Sequence, residues 1–157
     1  MIIKGLTDED FVNYKQPSMV VIFPKCSFKC DKDCGQQVCQ NSALATAPIL
    51  EIPIDIIVSR YLRNPITTSL VCAGLEPFDS WNELIDLVKK FRAHTEDTVI
   101  IYTGYFENEI EDKIDALKHY PNIIIKFGRF VPNQKKHFDK VLGVNLASDD
   151  QFAKRIS

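Results

Sequence analysis

The sequence has little net charge, no long apolar run and no leader-like opening, and each absence narrows what the chain can do. Nineteen Lys and Arg stand against 21 Asp and Glu, a formal charge of −2. No broad field therefore draws it to nucleic acid or to an anionic membrane. No apolar stretch approaches the roughly 20 residues that a membrane helix needs. No export-type segment opens the chain, and the cysteine count is odd, so the expected compartment is a reducing cytoplasm. Internal repeats and low-complexity tracts are missing too. The three histidines, His94, His119 and His137, sit among polar or basic neighbours and read as surface or capping residues; no Ser–His–Asp arrangement is visible. What remains is ordinary for one globular domain spanning 1–157, with 45% hydrophobic and 25% charged residues and enough length for a real core.

Against this background one segment is unusual. Four of the five cysteines, Cys26, Cys30, Cys34 and Cys39, crowd into a loop at 24–42 that also carries Lys, Asp, Gln and Gly. The loop follows the apolar run Met19–Phe23, closed by Pro24, which places it at the end of a strand. Three chemistries use such a segment. A disulfide framework needs an oxidising compartment. Zinc takes four thiolates but usually draws two close pairs from separate turns. An iron–sulfur cluster takes thiolates clustered in a loop as its normal ligands. The fifth cysteine, Cys72, lies in the apolar run Leu70–Ala73 and reads as a packing residue.

The rest of the chain alternates strand and helix. Residues 1–17 are expected to form a short strand or arm. Strands are predicted at Met19–Phe23, Thr67–Cys72, Thr98–Tyr102 and Ile123–Phe127, with a fifth within Lys140–Leu146. Pro53 can start a helix whose apolar positions are Ile54, Ile57, Val58, Tyr61 and Leu62, stopped at Asn64–Pro65. Ser80-x-x-Glu83 is a capping-box pattern ahead of the apolar face Leu84, Leu87, Val88 and Phe91. Ile110, Ile114 and Leu117 mark another helix, ended by Pro121, and Ala43–Pro48 reads as a continuation of the cysteine loop. The expected class is α/β: parallel strands with crossover helices, an open or partial barrel. In such folds ligands bind at the C-terminal ends of the strands. There the sequence places the cysteines, Gly74-Leu75-Glu76-Pro77, Thr103-Gly104-Tyr105 and Gly128-Arg129-Phe130.

These segments resemble a family. Cys26-Ser-Phe-Lys-Cys30 is similar to the first two cysteines of the CxxxCxxC loop of radical S-adenosylmethionine (SAM) proteins, and Cys39-Gln40-Asn41 to the third. Cys34 then lies in an insertion, with eight residues instead of two separating the second and third ligands. The other assignment takes Cys34 as the third ligand; Gln40-Asn41 favours Cys39. Gly74-Leu75-Glu76-Pro77 resembles the family's Gly-Gly-Glu-Pro motif, which holds the SAM amino group, with Leu75 replacing the second glycine. The plain reading of the same four residues is a tight turn with a solvated Glu. Tyr102-Thr103-Gly104-Tyr105 resembles a stretch of the activating proteins of anaerobic (class III) ribonucleotide reductase. Gly128-Arg129-Phe130 is similar to their Asp-Gly-Pro-Phe segment, with Phe127 replacing the Asp and Arg129 the Pro, and Leu146–Gln151 to their closing segment.

The resemblance implies a radical SAM-type partial (β/α) barrel, a 4Fe–4S cluster and SAM as cofactors. It implies Cys26, Cys30 and Cys39 as cluster ligands, with Cys34 as rival third or closing fourth. Gly74, Glu76, Pro77, Thr103 and Gly104 would hold SAM. The implied activity is production of a glycyl radical on a partner enzyme, with an electron donor such as flavodoxin or ferredoxin. Three thiolates leave one iron of a cubane open for SAM, whereas four would close it. Two alternatives stay open: radical SAM chemistry on another peptide or small molecule, and a non-catalytic zinc- or cluster-binding module. Lys89-Lys90 and Lys135-Lys136 read as solvated faces or a docking patch, and Phe130–Phe138 as a segment that contacts a partner or covers the site.

Overall fold

Runs of aliphatic and β-branched residues build the centre of the protein, for which a computed structural model describes residues 1–157. The chain opens with β1 (Ile2–Ile3) and β2 (Gly5–Asp10), and β2 pairs antiparallel with β3 (Ser18–Phe23). The cysteine loop follows, with two short helices, α1 (Lys29–Cys34) and α2 (Ser42–Thr46), then β4 (Leu50–Glu51) paired with β1. Three strand–helix alternations come next: α3 (Ile54–Arg63) and β5 (Ser69–Gly74), α4 (Trp81–Arg92) and β6 (Thr98–Tyr102), α5 (Glu111–Leu117) and β7 (Ile123–Phe127). A hairpin, β8 (His137–Asp139) with β9 (Val144–Leu146), precedes the last strand, β10 (Phe152–Arg155).

The main sheet has six strands in the order β10-β7-β6-β5-β3-β2. Its four inner strands are parallel and lie in chain order, while both edges are antiparallel. Strand periodicity sorts the side chains. The row Val21, Cys72, Ile101 and Ile125 faces one way, into a core completed by Ile57, Val58 and Tyr61 of α3, Leu84, Leu87, Val88 and Phe91 of α4, and Ile114 and Leu117 of α5. All three crossover helices therefore cover the same face. Each large aliphatic side chain so buried contributes about 1.5–3 kcal/mol, and Cys72 is, as expected, one of the packing residues. The row Val20, Val71, Ile100 and Ile124 faces the other way, under Tyr14, Leu142, Leu146 and Ala153. Towards the strands' C-terminal ends this second face opens into the site.

Three local expectations are corrected. The Ser80-x-x-Glu83 box does not form: a 3-10 turn, Pro77–Ser80, runs straight into α4, and the buried Ser80 hydroxyl has no partner. The cap comes a turn earlier, where Glu76 accepts from the Phe78 N–H. Ala43–Pro48 is mostly helix, α2, and not loop. Lys140–Leu146 adds no strand to the main sheet. The Asp139 carboxylate accepts from the Val141 and Leu142 N–H groups at 2.9 and 2.8 Å, which turns the chain back into the β8–β9 hairpin. The place beside β7 is taken by β10, running antiparallel. No helix is long and apolar enough to cross a membrane.

Candidate functional site

The C-terminal ends of β3, β5, β6 and β7 surround one cavity of about 470 Å³, within the usual range for a small-molecule site. After β3 the chain turns through Phe28, whose φ of 53° is rare for a non-glycine residue. Cys26 and Cys30, on either side of it, both line the cavity, and the Phe28 N–H donates to Cys26 Sγ at 3.2 Å. Cys39 lines it as well, whereas Cys34, at the end of α1, does not. The Cys39 segment is stitched to the next strand end, because Asn41 Nδ2 donates to the Gly74 carbonyl at 2.9 Å.

Gly74 ends β5 with φ +97°, and a Cβ there would run into Ile22 of β3, 3.1 Å from its Cα. Only glycine fits both the backbone and the space. Leu75 has no such demand, since its φ is not positive, so a side chain in place of a second glycine is accommodated. Glu76 is buried, not the solvated residue of a plain turn, and its carboxylate holds two strand ends together. Oε1 accepts from Thr103 Oγ1 at 2.8 Å and the Phe78 N–H at 3.1 Å, and Oε2 from the Gly104 N–H at 2.8 Å. Burial pushes its acidity to about pH 7, against the pull of those donors. Gly74, Glu76, Thr103 and Gly104 all line the cavity; Pro77 is buried behind it at the start of the 3-10 turn.

One cation at the site, Lys126, was not anticipated, and neither were the partners of Arg129 beside it. Lys126 interrupts the apolar run of β7, is buried, and lines the cavity with its ammonium donating to the Gly128 carbonyl at 2.8 Å. Desolvation brings it down to about 8, partly offset by Glu76. Its signal was the strand period: Lys126 shares the face of Ile124, one step nearer the open end. Arg129, also buried, grips Glu109 with two bonds of 2.9 and 2.7 Å, and its Nε lies against the Asp33 carboxylate of α1 as an ion pair without a directed hydrogen bond. Glu109 accepts from Lys29 at 2.8 Å as well, and these cations hold it at about 2. Nothing in the sequence joins Asp33, Glu109 and Arg129, which lie far apart along the chain. Of the histidines, His94 and His119 are exposed and His137 is half-buried in β8. Lys89, Lys90, Lys135 and Lys136 are all exposed.

The donor chemistry suits a multi-iron cluster better than a single ion. Nowhere do three Cys, His, Asp or Glu side chains converge closely enough to chelate one metal, as tetrahedral zinc would require. Three thiols line one cavity, and thiolates held in one loop are the ordinary ligands of an iron–sulfur cluster. Burial raises Cys26 to about 12 and raises Cys30 also, with Cys39 adding to both. Backbone N–H groups of Phe28 and Phe130 pull the other way, and bonds of this kind to sulfur tune a cluster's potential.

A family model described as a 4Fe-4S single cluster domain matches residues 17–146. No curated protein and no solved structure matches the chain.

Proposed function

The chain belongs to the 4Fe-4S single cluster domain family, and from that premise we propose that it is a radical SAM enzyme. Its partner is a glycyl radical enzyme, anaerobic ribonucleotide reductase by the resemblance of its motifs. The observation that carries this reading is one cavity lined by Cys26, Cys30 and Cys39 together with Gly74 and Glu76, with Cys34 outside it. A cluster held by three thiolates would supply an open iron for SAM and the electron that splits it, releasing the 5′-deoxyadenosyl radical that takes hydrogen from a partner's glycine.

The chain's own residues support the binding half of that chemistry. Asn41 and Gly74 join the cysteine loop to the β5 turn, so ligand and thiolates share one frame. Glu76 fixes Thr103 and Gly104 in place, and its carboxylate lies at the cavity wall to receive an ammonium. Lys126 supplies a cation on the same wall for an anionic group. The parallel strands in chain order, with every crossover on one face, are consistent with a small partial (β/α) barrel of the radical SAM type. Phe130 at the cavity and Phe138, 60% exposed, offer apolar surface to a partner. Such a protein works without oxygen, in a reducing cytoplasm, with a flavodoxin- or ferredoxin-type electron donor.

The test is anaerobic cluster reconstitution, dithionite reduction with SAM, and an assay for 5′-deoxyadenosine. Product is expected from the wild type and from Cys34→Ala, and none from Cys26→Ala, Cys30→Ala or Cys39→Ala. A full cluster that yields no product would overturn the reading and leave a binding or structural role. A glycyl radical signal on co-incubated reductase would identify the partner; its absence with active SAM cleavage would move the substrate to another peptide or small molecule.

A further inference from the structure

Eight residues separate Cys30 from Cys39, and a spacer of that length does not by itself bring a third thiol to the cavity that Cys30 lines. A free loop would sample many positions, and closing it costs entropy. The structure shows what closes it. Asp31 lies on α1 one residue beyond Cys30, and its Oδ1 accepts from both the Val38 and the Cys39 N–H at 2.8 Å each. The Asp31 carbonyl accepts from the Gln36 N–H at 3.2 Å, so the whole spacer folds back on this one residue. The turn is anchored in its middle as well, where Asp33 pairs with Arg129, whose side chain is only 8% exposed. Arg129 stands where the resembled activating proteins carry Pro, so spacer and anchor are both departures of this chain from that pattern.

We propose that Asp31 is a positioning residue for the third thiolate, its carboxylate holding the Cys39 backbone so that the sulfur reaches the cavity across the long spacer. This rests on the reading of Cys39 as a cluster ligand. A carboxylate accepting two backbone N–H groups makes charge-assisted bonds, and groups that orient metal ligands in this way typically govern affinity about 10–100-fold. An ordinary surface turn would instead leave the cluster indifferent to Asp31.

The experiment uses the full chain, reconstituted anaerobically and reduced, and follows iron loss to bathophenanthroline together with the electron paramagnetic resonance spectrum. Asp31→Ala is expected to lose iron about 10–100-fold faster and to shift the spectrum, while Asp31→Asn, whose amide oxygen accepts the same N–H groups without the charge, falls between Asp31→Ala and wild type. Melting of the metal-free variants controls for folding. Wild-type iron loss and spectrum in Asp31→Ala, beside cluster loss in Cys39→Ala, would overturn the positioning role and leave the cysteine reading intact. Equal loss in Asp31→Ala and Asp31→Asn would overturn the hydrogen-bond basis of the role. A full, unaltered cluster in Cys39→Ala would overturn the cysteine reading and this inference with it.

Discussion

Replacing Glu76 by Gln keeps the side chain's shape and removes one acceptor, which makes its effect on stability calculable. The carboxylate serves three donors, two on Oε1 and one on Oε2. With the amide oxygen at Oε1, the Gly104 N–H meets an NH₂ group; with the amide flipped, the Phe78 N–H does. The Thr103 hydroxyl can rotate, but a backbone N–H cannot, so one buried donor is orphaned either way at about 1–3 kcal/mol. For a domain of this size that lowers Tm by about 2–4 °C per kcal/mol. The wild type carries its own pH-dependent cost. Glu76 titrates near 7 in the fold and 4.5 outside it. A raised folded value means stability that is full below about 4.5 and is lost as pH rises through about 7, approaching 3 kcal/mol in all. Gln does not titrate. Melting curves of the two metal-free proteins from pH 5 to 8, under reductant, should therefore show the wild type losing stability relative to the variant as pH rises. Groups remote from Glu76 titrate alike in both proteins and cancel; Lys126, which Glu76 holds up, adds a pH dependence of its own towards pH 8. A wild type whose relative stability stays constant or rises with pH would refute the account of Glu76 as a buried, partly protonated clamp.

Two further outcomes are expected. Gly74→Ala places a Cβ against β3 at a φ of +97°; left-handed backbone alone costs about 1–2 kcal/mol, so a Tm loss of several degrees is expected in calorimetry, and a wild-type Tm would remove the close-approach argument. Glu109→Gln probes the opposite sign: Glu109 is held at about 2 in the fold, so it adds stability above about 4.5 that disappears as pH falls towards 2. Discounted for its partial exposure this amounts to about 1 kcal/mol. Acid titration should show the wild-type advantage shrinking between those limits, and an advantage independent of pH would contradict the Arg129–Glu109 pairing.

Much of the site was legible because strand ends are where an α/β sheet carries its chemistry. Met19–Phe23, Leu70–Ala73 and Thr98–Tyr102 are dense apolar runs bounded by Pro, Gly or polar residues, and knowing where they stop locates the cysteines, Glu76 and Thr103. Lys126 escaped because it sits inside such a run, where only the register with Tyr102 shows it turned towards the cavity. β10 escaped because four residues, Phe152–Arg155, are too few to display alternation. The choice between Cys34 and Cys39 turns on Asp31 and Asn41, and a spacing rule cannot see a side chain that folds a spacer back or reaches another strand. Arg129 looked like a departure from a motif; its partners explain it, but they come from other parts of the chain.

Those partners share a logic. The cysteine loop is secured by groups outside it at several points, among them Ser27 by Asp79, Lys29 by Glu109, Asp33 by Arg129 and Asn41 by the Gly74 carbonyl. Asp79 in turn accepts from the Tyr105 hydroxyl at 2.6 Å, and Glu76 binds Thr103 and Gly104. The ends of β5, β6 and β7 are thus tied both to one another and to the loop, chiefly by carboxylates. A buried carboxylate accepts several donors at once, so a few acidic residues can fix many loop atoms with little conformational freedom of their own. The loop has almost no packing to hold it, since neither α1 nor α2 buries a residue. Its geometry must then come from these polar tethers, and thiolate placement should be more sensitive to truncation of Asp31, Asp79 or Arg129 to Ala than to an apolar substitution within the loop. In a cluster site that ordering matters, because the groups that orient the ligands also set how tightly the metal is held.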